Sequence, residues 1–254
     1  MKRTSVTVSA SERPALAESE PRRAAIGEVA AGIARELRQP LLAISSAAQL
    51  LRFRVADDPV VEKNVGRILR EVERLNGFST ALLDYASPGS PHLVPADPDT
   101  LWDDVLESER GRLESRAILL QRVRAAPSTR CAVDVAQIKQ LLSELLENAC
   151  DAAPEGSDLA LDSAVLADGS WRCRLHNGGN PIPPAALPRV FDLFFSSKPG
   201  SAGLGLALCR RIVEDHGGAI AIDSTESGTT ITLTLPANPG AVSDLTPTRT
   251  HDSL

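Results

Sequence analysis

The chain has 254 residues, of which 43% are hydrophobic and 24% charged, a soluble globular balance with room for one large domain or two small ones. Aromatic residues make up only 3% and the net charge is -6, with an isoelectric point near 5.3, which excludes a base-stacking platform and a general binder of DNA or RNA. The four cysteines, Cys131, Cys150, Cys173 and Cys209, have neither metal-ligand nor redox spacing, no signal peptide is evident, and no apolar run approaches the roughly 18 residues of a membrane span, so a cytoplasmic protein with core cysteines is expected.

Residues 1–20 are polar and aperiodic and read as a disordered arm. From about Pro21, Ile26, Ala30, Ile33, Leu37, Leu41, Ile44, Ala48 and Leu51 recur at spacings of three and four. This predicts a long amphipathic helix, interrupted and kinked at Pro40. Asp57-Asp58-Pro59 supplies a turn, a cap and a proline suited to a first helical position. A second helix carries Val61, Val65, Ile68, Val72, Leu75 and Leu82 on one face. Residues 21–87 thus form a helical hairpin whose narrow seams call for a dimeric four-helix bundle.

A Pro/Gly/Ser-rich linker covers 88–98, and an α+β domain is expected over 99–236. Its helices are predicted around Leu101, Val105 and Leu106, from about Val135 to Ala152, and after Gly205. Its strands are AILLQRV, LALDSAVL, WRCRLH, AIAIDS and TTITLTL, the last two closing a hairpin around Glu226-Ser227-Gly228. Helices cover one face of a mixed sheet. Residues 237–254 read as a disordered tail.

Four stretches of the second domain carry chemistry. Glu144 and Asn148 stand four apart on one helix face, and an Asn oxygen is a hard neutral ligand suited to Mg²⁺. By itself that spacing is only a polar helix face. Asn177-Gly178-Gly179-Asn180-Pro181 follows a strand, where glycines admit close backbone approach to a ligand. Phe191 to Lys198 gathers three of the five phenylalanines and ends in a lysine. Gly200-Ser201-Ala202-Gly203-Leu204-Gly205 opens a helix, a ready phosphate site.

In this order the stretches resemble the catalytic core of a bacterial sensor histidine kinase, over residues from about 24 to 236. The second domain resembles the Bergerat-fold ATPases of the gyrase, Hsp90, MutL and histidine-kinase superfamily, an α/β sandwich. The resemblance implies ATP and Mg²⁺ as ligands. It makes Asn148, with Glu144 beside it, the Mg²⁺-holding N box, and Asn177 to Pro181, with Gly179, the G1 box. It makes Lys198 the lid lysine that ends the F-box region, and Gly203, Leu204 and Gly205 the G2 box. Thr229, after Gly228, takes the last motif near the adenine. His216 takes a structural helix-end position. The hairpin resembles the dimerisation and phosphotransfer domain, and GEVAAGIARELRQPLLAI resembles an H box reading His-Glu-Leu-x-Gln-Pro-Leu.

Arg35 stands where that box has its phospho-acceptor histidine, followed in register by Glu36, Gln39 and Pro40. A guanidinium, with a pKa above about 12, has no free nucleophilic nitrogen near neutral pH. The histidines elsewhere are His92, His176, His216 and His251, and only His92 is close in sequence to the hairpin. Asn177 replaces an aspartate that accepts the adenine amine, a loss of roughly 1–2 kcal/mol. Pro181 and Ser201 replace glycines of the G1 and G2 boxes. ATP binding of modest affinity is expected. The readings that remain are a regulatory pseudokinase, a kinase dependent on a heterodimeric partner, a response-regulator phosphatase using Gln39 to place water, and an ordinary autophosphorylating kinase carrying a His-to-Arg substitution. Expected partners are a second copy or a related kinase, and a response regulator receiver domain.

Overall fold

Helix α1 spans Glu20–Arg54 and helix α2 spans Pro59–Ala86. They belong to a computed structural model that describes residues 4–9, 20–55, 58–86, 91–125, 130–196 and 203–237. The cap of α2 is the one its sequence calls for. Asp58 Oδ1 accepts from the amides of Val60 and Val61 at 2.8 and 3.4 Å, and Pro59 takes the first helical position, where it needs no donor. Helix α1 continues through Pro40 without the expected interruption. One proline removes a single backbone bond, and the buried contacts of Ala34 and Leu41 on either side keep the segment in register.

The hairpin seam is narrower than its sequence periodicity suggests. Ala34, Leu41 and Ala48 on α1 and Val65, Val72 and Ser79 on α2 are buried, each set at a spacing of seven. The Ser79 hydroxyl donates to the Ala34 carbonyl at 2.7 Å, so the polar member of the seam is satisfied. Ile33, Ile44, Leu51, Ile68 and Leu75, expected on the same seam, are 39–51% exposed. Among the described residues the two helices pack along their length on each other, and one helical neighbour covers only half of a broad apolar stripe.

The chain divides into a hairpin unit, Ser11–Ser90 with Arg189–Arg211, and a sheet unit, Met1–Ala10, Pro91–Pro188 and Ile212–Leu254. The sheet unit contains strands β1 (Thr4–Ser9), β2 (Val94–Ala96), β3 (Leu119–Val123), β4 (Cys131–Val133), β5 (Asp158–Val165), β6 (Trp171–Asn177), β7 (Ala219–Thr225) and β8 (Gly228–Leu235). Its helices are α3 (Pro98–Ser108), α4 (Arg110–Ser115) and α5 (Val135–Ala152), and the division of the chain falls within α6 (Gly205–Asp215). The main sheet runs β1-β7-β8-β6-β5-β3, antiparallel throughout except β3 against β5. One face alternates in burial: Leu159 and Leu161, Trp171, Cys173 and Leu175, Ile220 and Ile222, Ile231 and Leu233. The apolar stripe of α5, from Ile138 to Ala149, is buried with Leu101, Trp102 and Val105 of α3.

Two expectations are corrected here. The arm expected over residues 1–20 contains β1, because TSVTVS alternates small polar and β-branched residues with period two and pairs antiparallel with β7, Val6 opposite Ile222. The expected linker over 88–98 contains β2, which pairs with β4. The tail beyond Ala237 lies outside the described residues.

Asp134 caps α5, its Oδ1 accepting from Ala136 and Gln137 at 3.1 and 3.2 Å. Its Oδ2 accepts from the His92 amide at 3.0 Å, and its own amide donates to His216 Nε2 at 2.9 Å. His216 Nδ1 donates to the Ile212 carbonyl at 2.7 Å, so one ring ties the end of α6 to the start of α5. The amides of Gln137, His92 and Ala136 hold the Asp134 carboxyl below its ordinary value of 3.8. A depressed carboxylate pKa contributes stability above the ordinary value and loses it as pH falls through the folded value. Asp134→Ala is expected to cost about 1 kcal/mol at neutral pH. That cost shrinks as the pH drops below 3.8, followed by urea unfolding at several pH values.

Asp99, 3% exposed, is the buried polar node of the sheet unit. Its oxygens accept from Ser163 Oγ at 2.7 and 2.9 Å, from Trp171 Nε1 at 3.2 Å and from Arg122 Nη2 at 3.4 Å. Removing the carboxylate leaves the Ser163 hydroxyl and the Trp171 indole N–H without this acceptor, whereas Arg122 keeps Asp103 Oδ1 at 2.6 Å and the Asp99 carbonyl at 2.7 Å. Asp99→Ala is expected to cost about 2–4 kcal/mol. Both tryptophans, Trp102 and Trp171, are in this unit, so the midpoint of their fluorescence change in urea reads it directly. All four cysteines are buried and none forms a disulfide, and burial pushes Cys131 up to about 11 and Cys173 to about 12, which makes these two thiols inert.

Candidate nucleotide-binding site

Asn177 ends β6 opposite Thr229 near the start of β8. Its side chain is buried, and Nδ2 donates to the Gly178 carbonyl at 2.6 Å, which leaves the amide oxygen as the acceptor. Thr229 Oγ1 and Ser224 Oγ share a hydrogen bond of 2.9 Å, and Ser224 Oγ accepts from the Ile182 amide at 2.9 Å. The loop after β6 is thereby fastened to the β7–β8 end. Ser224 escaped the sequence reading, since nothing about a serine near a strand end marks it as a tie between two segments.

Two glycines here have no substitute. Gly228 has φ +127°, and a Cβ there would strike the Asn177 carbonyl oxygen. Gly179 has φ +118°, and its Cβ would strike the Ala152 carbonyl oxygen and reach Pro154 at 3.7 Å. The G1-like loop therefore lies directly on the last turn of α5, the helix that carries Glu144 and Asn148. Those two side chains are half-buried, whereas Leu145, Leu146 and Ala149 between and beyond them are buried in the core. The sheet unit thus brings together Asn177, Gly179, Thr229 and the end of α5.

The remaining predicted residues belong to the hairpin unit. Phe194 (φ +63°) donates its amide to the Gly203 carbonyl at 2.9 Å. Gly203 has φ +65°, and a Cβ there would lie 2.6–2.7 Å from the backbone of Phe194 and Phe195. Leu204 is buried with Ala34 and Leu82, and Phe78, Leu83 and Leu193 pack on that cluster. The rings of Phe78 and Phe194 are 6.3 Å apart. Gly205 starts α6. Lys198 and Ser201 lie outside the described residues. Arg35 follows Ala34 in the helical backbone of α1, and Glu36 and Gln39 are exposed on it.

The donor set fits a metal–nucleotide complex. Asn148 and Asn177 offer neutral amide oxygens, Thr229 a hydroxyl, and Gly179 and Gly228 keep the backbone bare of Cβ atoms. Among the described residues no three His, Cys, Asp or Glu side chains form a metal cluster. A Mg²⁺ ion held by one Asn with phosphates and water does not require one.

Residues 25–91 match the family described as His Kinase A (phospho-acceptor) domain. Residues 133–239 match the histidine kinase-, DNA gyrase B- and HSP90-like ATPases. The chain carries the two domains of a sensor histidine kinase catalytic core. This core is 30% identical over 226 residues to the signal transduction histidine-protein kinase AtoS of Escherichia coli (strain K12), covering 88% of this chain and 37% of AtoS. It is also 30% identical over 222 residues to sporulation kinase E of Bacillus subtilis (strain 168), covering 85% of this chain and 29% of that kinase. The kinase core therefore spans about a third of the length of these relatives. Among solved structures, it resembles histidine kinase ThkA in complex with the response regulator TrrA. The TM-score is 0.67 at 26% identity, covering 88% of this chain and 66% of that one. The catalytic domain of ThkA alone aligns with a TM-score of 0.54 at 28% identity, covering 59% of this chain and 98% of that domain. No helix among the described residues of the kinase core is long and apolar enough to cross a membrane.

Proposed function

We propose that this kinase core binds Mg²⁺–ATP and works in a two-component pathway as a regulatory pseudokinase or a partner-dependent kinase, without a phospho-acceptor of its own. The observation that carries this reading is Arg35 in the acceptor register of a segment that matches the phospho-acceptor domain family. Asn148, with Glu144 near it, holds the Mg²⁺. Asn177 and Thr229 receive the adenine and Gly179 admits close backbone approach in the sheet unit, while the family resemblance gives Gly203, Leu204 and Gly205 a phosphate role and Lys198 the lid. The bound ATP supplies the transferable phosphoryl group. Positioning and electrostatics do most of phosphoryl transfer, so this cradle can serve an acceptor on a partner chain.

The exposed apolar residues of the hairpin, with Phe53 at 82% and Leu42 at 57%, support assembly with a second copy or a related kinase into a four-helix bundle. ThkA, a structural relative, was crystallised with a response regulator, and a receiver domain is the proposed partner here. The exposed Gln39 favours a second reading, a response-regulator phosphatase in which an amide orients water without titrating. The proposed compartment is the cytoplasm.

Calorimetry with Mg²⁺–ATP tests the binding step. Modest affinity is expected, and Asn177→Asp should tighten it about fivefold to thirtyfold by giving the adenine amine a charged acceptor. An unchanged affinity would remove Asn177 from the adenine site. A wild type that takes up no nucleotide would overturn the ATP reading itself.

A further inference from the structure

We propose that Ser224 is a positioning residue of the nucleotide site: it fixes the Thr229 hydroxyl as a donor, and Thr229 beside Asn177 then selects adenine over a 6-oxopurine. The role rests on the proposal that this site takes ATP. Ser224, Thr229 and Asn177 stand in one row across β7, β8 and β6, Ser224 opposite Thr229 and Thr229 opposite Asn177. The next row on the same face is Ile222, Ile231 and Leu175, all buried. All three members of the polar row are buried as well. Adjoining polar side chains at the end of an apolar face must find partners for their hydrogens.

The hydrogen count fixes the direction of the row. Ser224 Oγ accepts from the Ile182 amide at 2.9 Å and shares a bond of 2.9 Å with Thr229 Oγ1. Two hydroxyl protons compete for that one shared bond, so one proton is left over. If Thr229 donated, Ser224 would receive two donors, and its own proton would be stranded between Ile182 and Thr229 at a cost of about 1–3 kcal/mol. If Ser224 donates, the proton left over belongs to Thr229, the member of the row next to Asn177, where a base nitrogen accepts it. An oxygen that accepts from an amide is also polarised into a stronger donor. The relay therefore runs from the Ile182 amide through Ser224 to Thr229 and ends in an O–H donor. Asn177 Nδ2 is committed to the Gly178 carbonyl at 2.6 Å, which leaves its amide oxygen as the acceptor. A donor beside an acceptor complements adenine, whose exocyclic amine donates and whose neighbouring ring nitrogen accepts. Hypoxanthine reverses both positions, with a carbonyl at C6 and an N–H at N1. A hydroxyl by itself rotates to serve either base. The bond from Ser224 removes that freedom.

The test is calorimetry on the whole chain with Mg²⁺–ATP and with Mg²⁺–inosine triphosphate, whose bases differ only at the C6 substituent and the N1 proton. The unaltered protein is expected to prefer ATP by at least about tenfold. Ser224→Ala lets the Thr229 hydroxyl accept as well as donate. The preference is then expected to fall at least about threefold, with ATP bound more weakly and inosine triphosphate bound as well as before or better. Loss of the tie to Ile182 alone would weaken both nucleotides alike, so an unchanged ratio in Ser224→Ala overturns the role. In a Thr229→Val background, adding Ser224→Ala is expected to move the ratio by less than about twofold, because the donor it acts through is already gone. A further fall in that background would also overturn it. Should Ser224→Ala fail to fold by its tryptophan unfolding midpoint, Ser224→Cys carries the same expectation, since a thiol fills the place but is a weak donor and acceptor. An unaltered protein that binds neither nucleotide would overturn the ATP reading itself. One that binds ATP, with a ratio indifferent to position 224, would overturn the role of Ser224 alone.

Discussion

Arg35→His is expected to take phosphate uptake from nothing to stoichiometric labelling. The unaltered protein, incubated with Mg²⁺–ATP, should incorporate no acid-labile, base-stable phosphate, because the guanidinium at position 35 offers no nucleophilic lone pair near neutral pH. An imidazole there, with an ordinary pKa near 6.5, is largely neutral at pH 7 and supplies that lone pair. The surroundings need no further change. Glu36 and Gln39 follow on the exposed side of α1, and Ala34 beside position 35 is packed with Leu204, next to the glycines Gly203 and Gly205. Label on the unaltered chain would overturn the prediction, and its mapping to His92 would name another acceptor. The His92 amide is fastened to Asp134 at the cap of α5, which argues against that residue reaching a phosphate. If the variant binds ATP and remains unlabelled, the departures at Asn177, Pro181 and Ser201 carry the defect, and the pseudokinase reading gains.

Asn148→Ala is expected to weaken Mg²⁺–ATP binding by at least a hundredfold, about 2.7 kcal/mol, to a level calorimetry does not detect. The amide oxygen is the hard neutral ligand of the proposed site, and a methyl group cannot replace it. Chelation of Mg²⁺ from the unaltered protein should mimic the substitution, which separates a metal effect from a packing effect. The fold should tolerate the change. Asn148 is half-buried, whereas the core contacts of α5 are made by Leu145, Leu146 and Ala149. The tryptophan unfolding midpoint should therefore move by no more than about 0.5 kcal/mol. Equal ATP binding by the two proteins would remove Asn148 from the metal site.

Much of the architecture was legible in the sequence because local rules and burial agreed. Helix α5 runs over Val135–Ala152 as its apolar spacing predicts, and strands β5 to β8 follow their alternation. Asp58 and Pro59 begin α2 as caps do. The site was legible in part. Gly179 read as a glycine of a ligand loop and Gly228 as part of a hairpin turn, and their positive φ and backbone crowding give both a structural reason to be glycine. Ser224 was not legible, since it gains its meaning only from Ile182 and Thr229, each brought to it by a different segment.

By itself the sequence determined what depends on residue type and short spacing: the helical hairpin, the order of the glycine-rich and Asn-bearing stretches, and a guanidinium rather than an imidazole at position 35. Tertiary structure alone decided what depends on residues far apart in the chain. It divided the hairpin's apolar residues into a buried heptad seam and an exposed set, because periodicity states that a face is apolar and not how much neighbour there is to cover it. It turned six residues of an apparently unstructured arm into β1, because strand pairing is a property of the edge of β7 as much as of TSVTVS. It gave Asp99 its place at the centre of a buried network with Arg122, Ser163 and Trp171, between 23 and 72 positions away in sequence, a distance at which no local pattern reports contact.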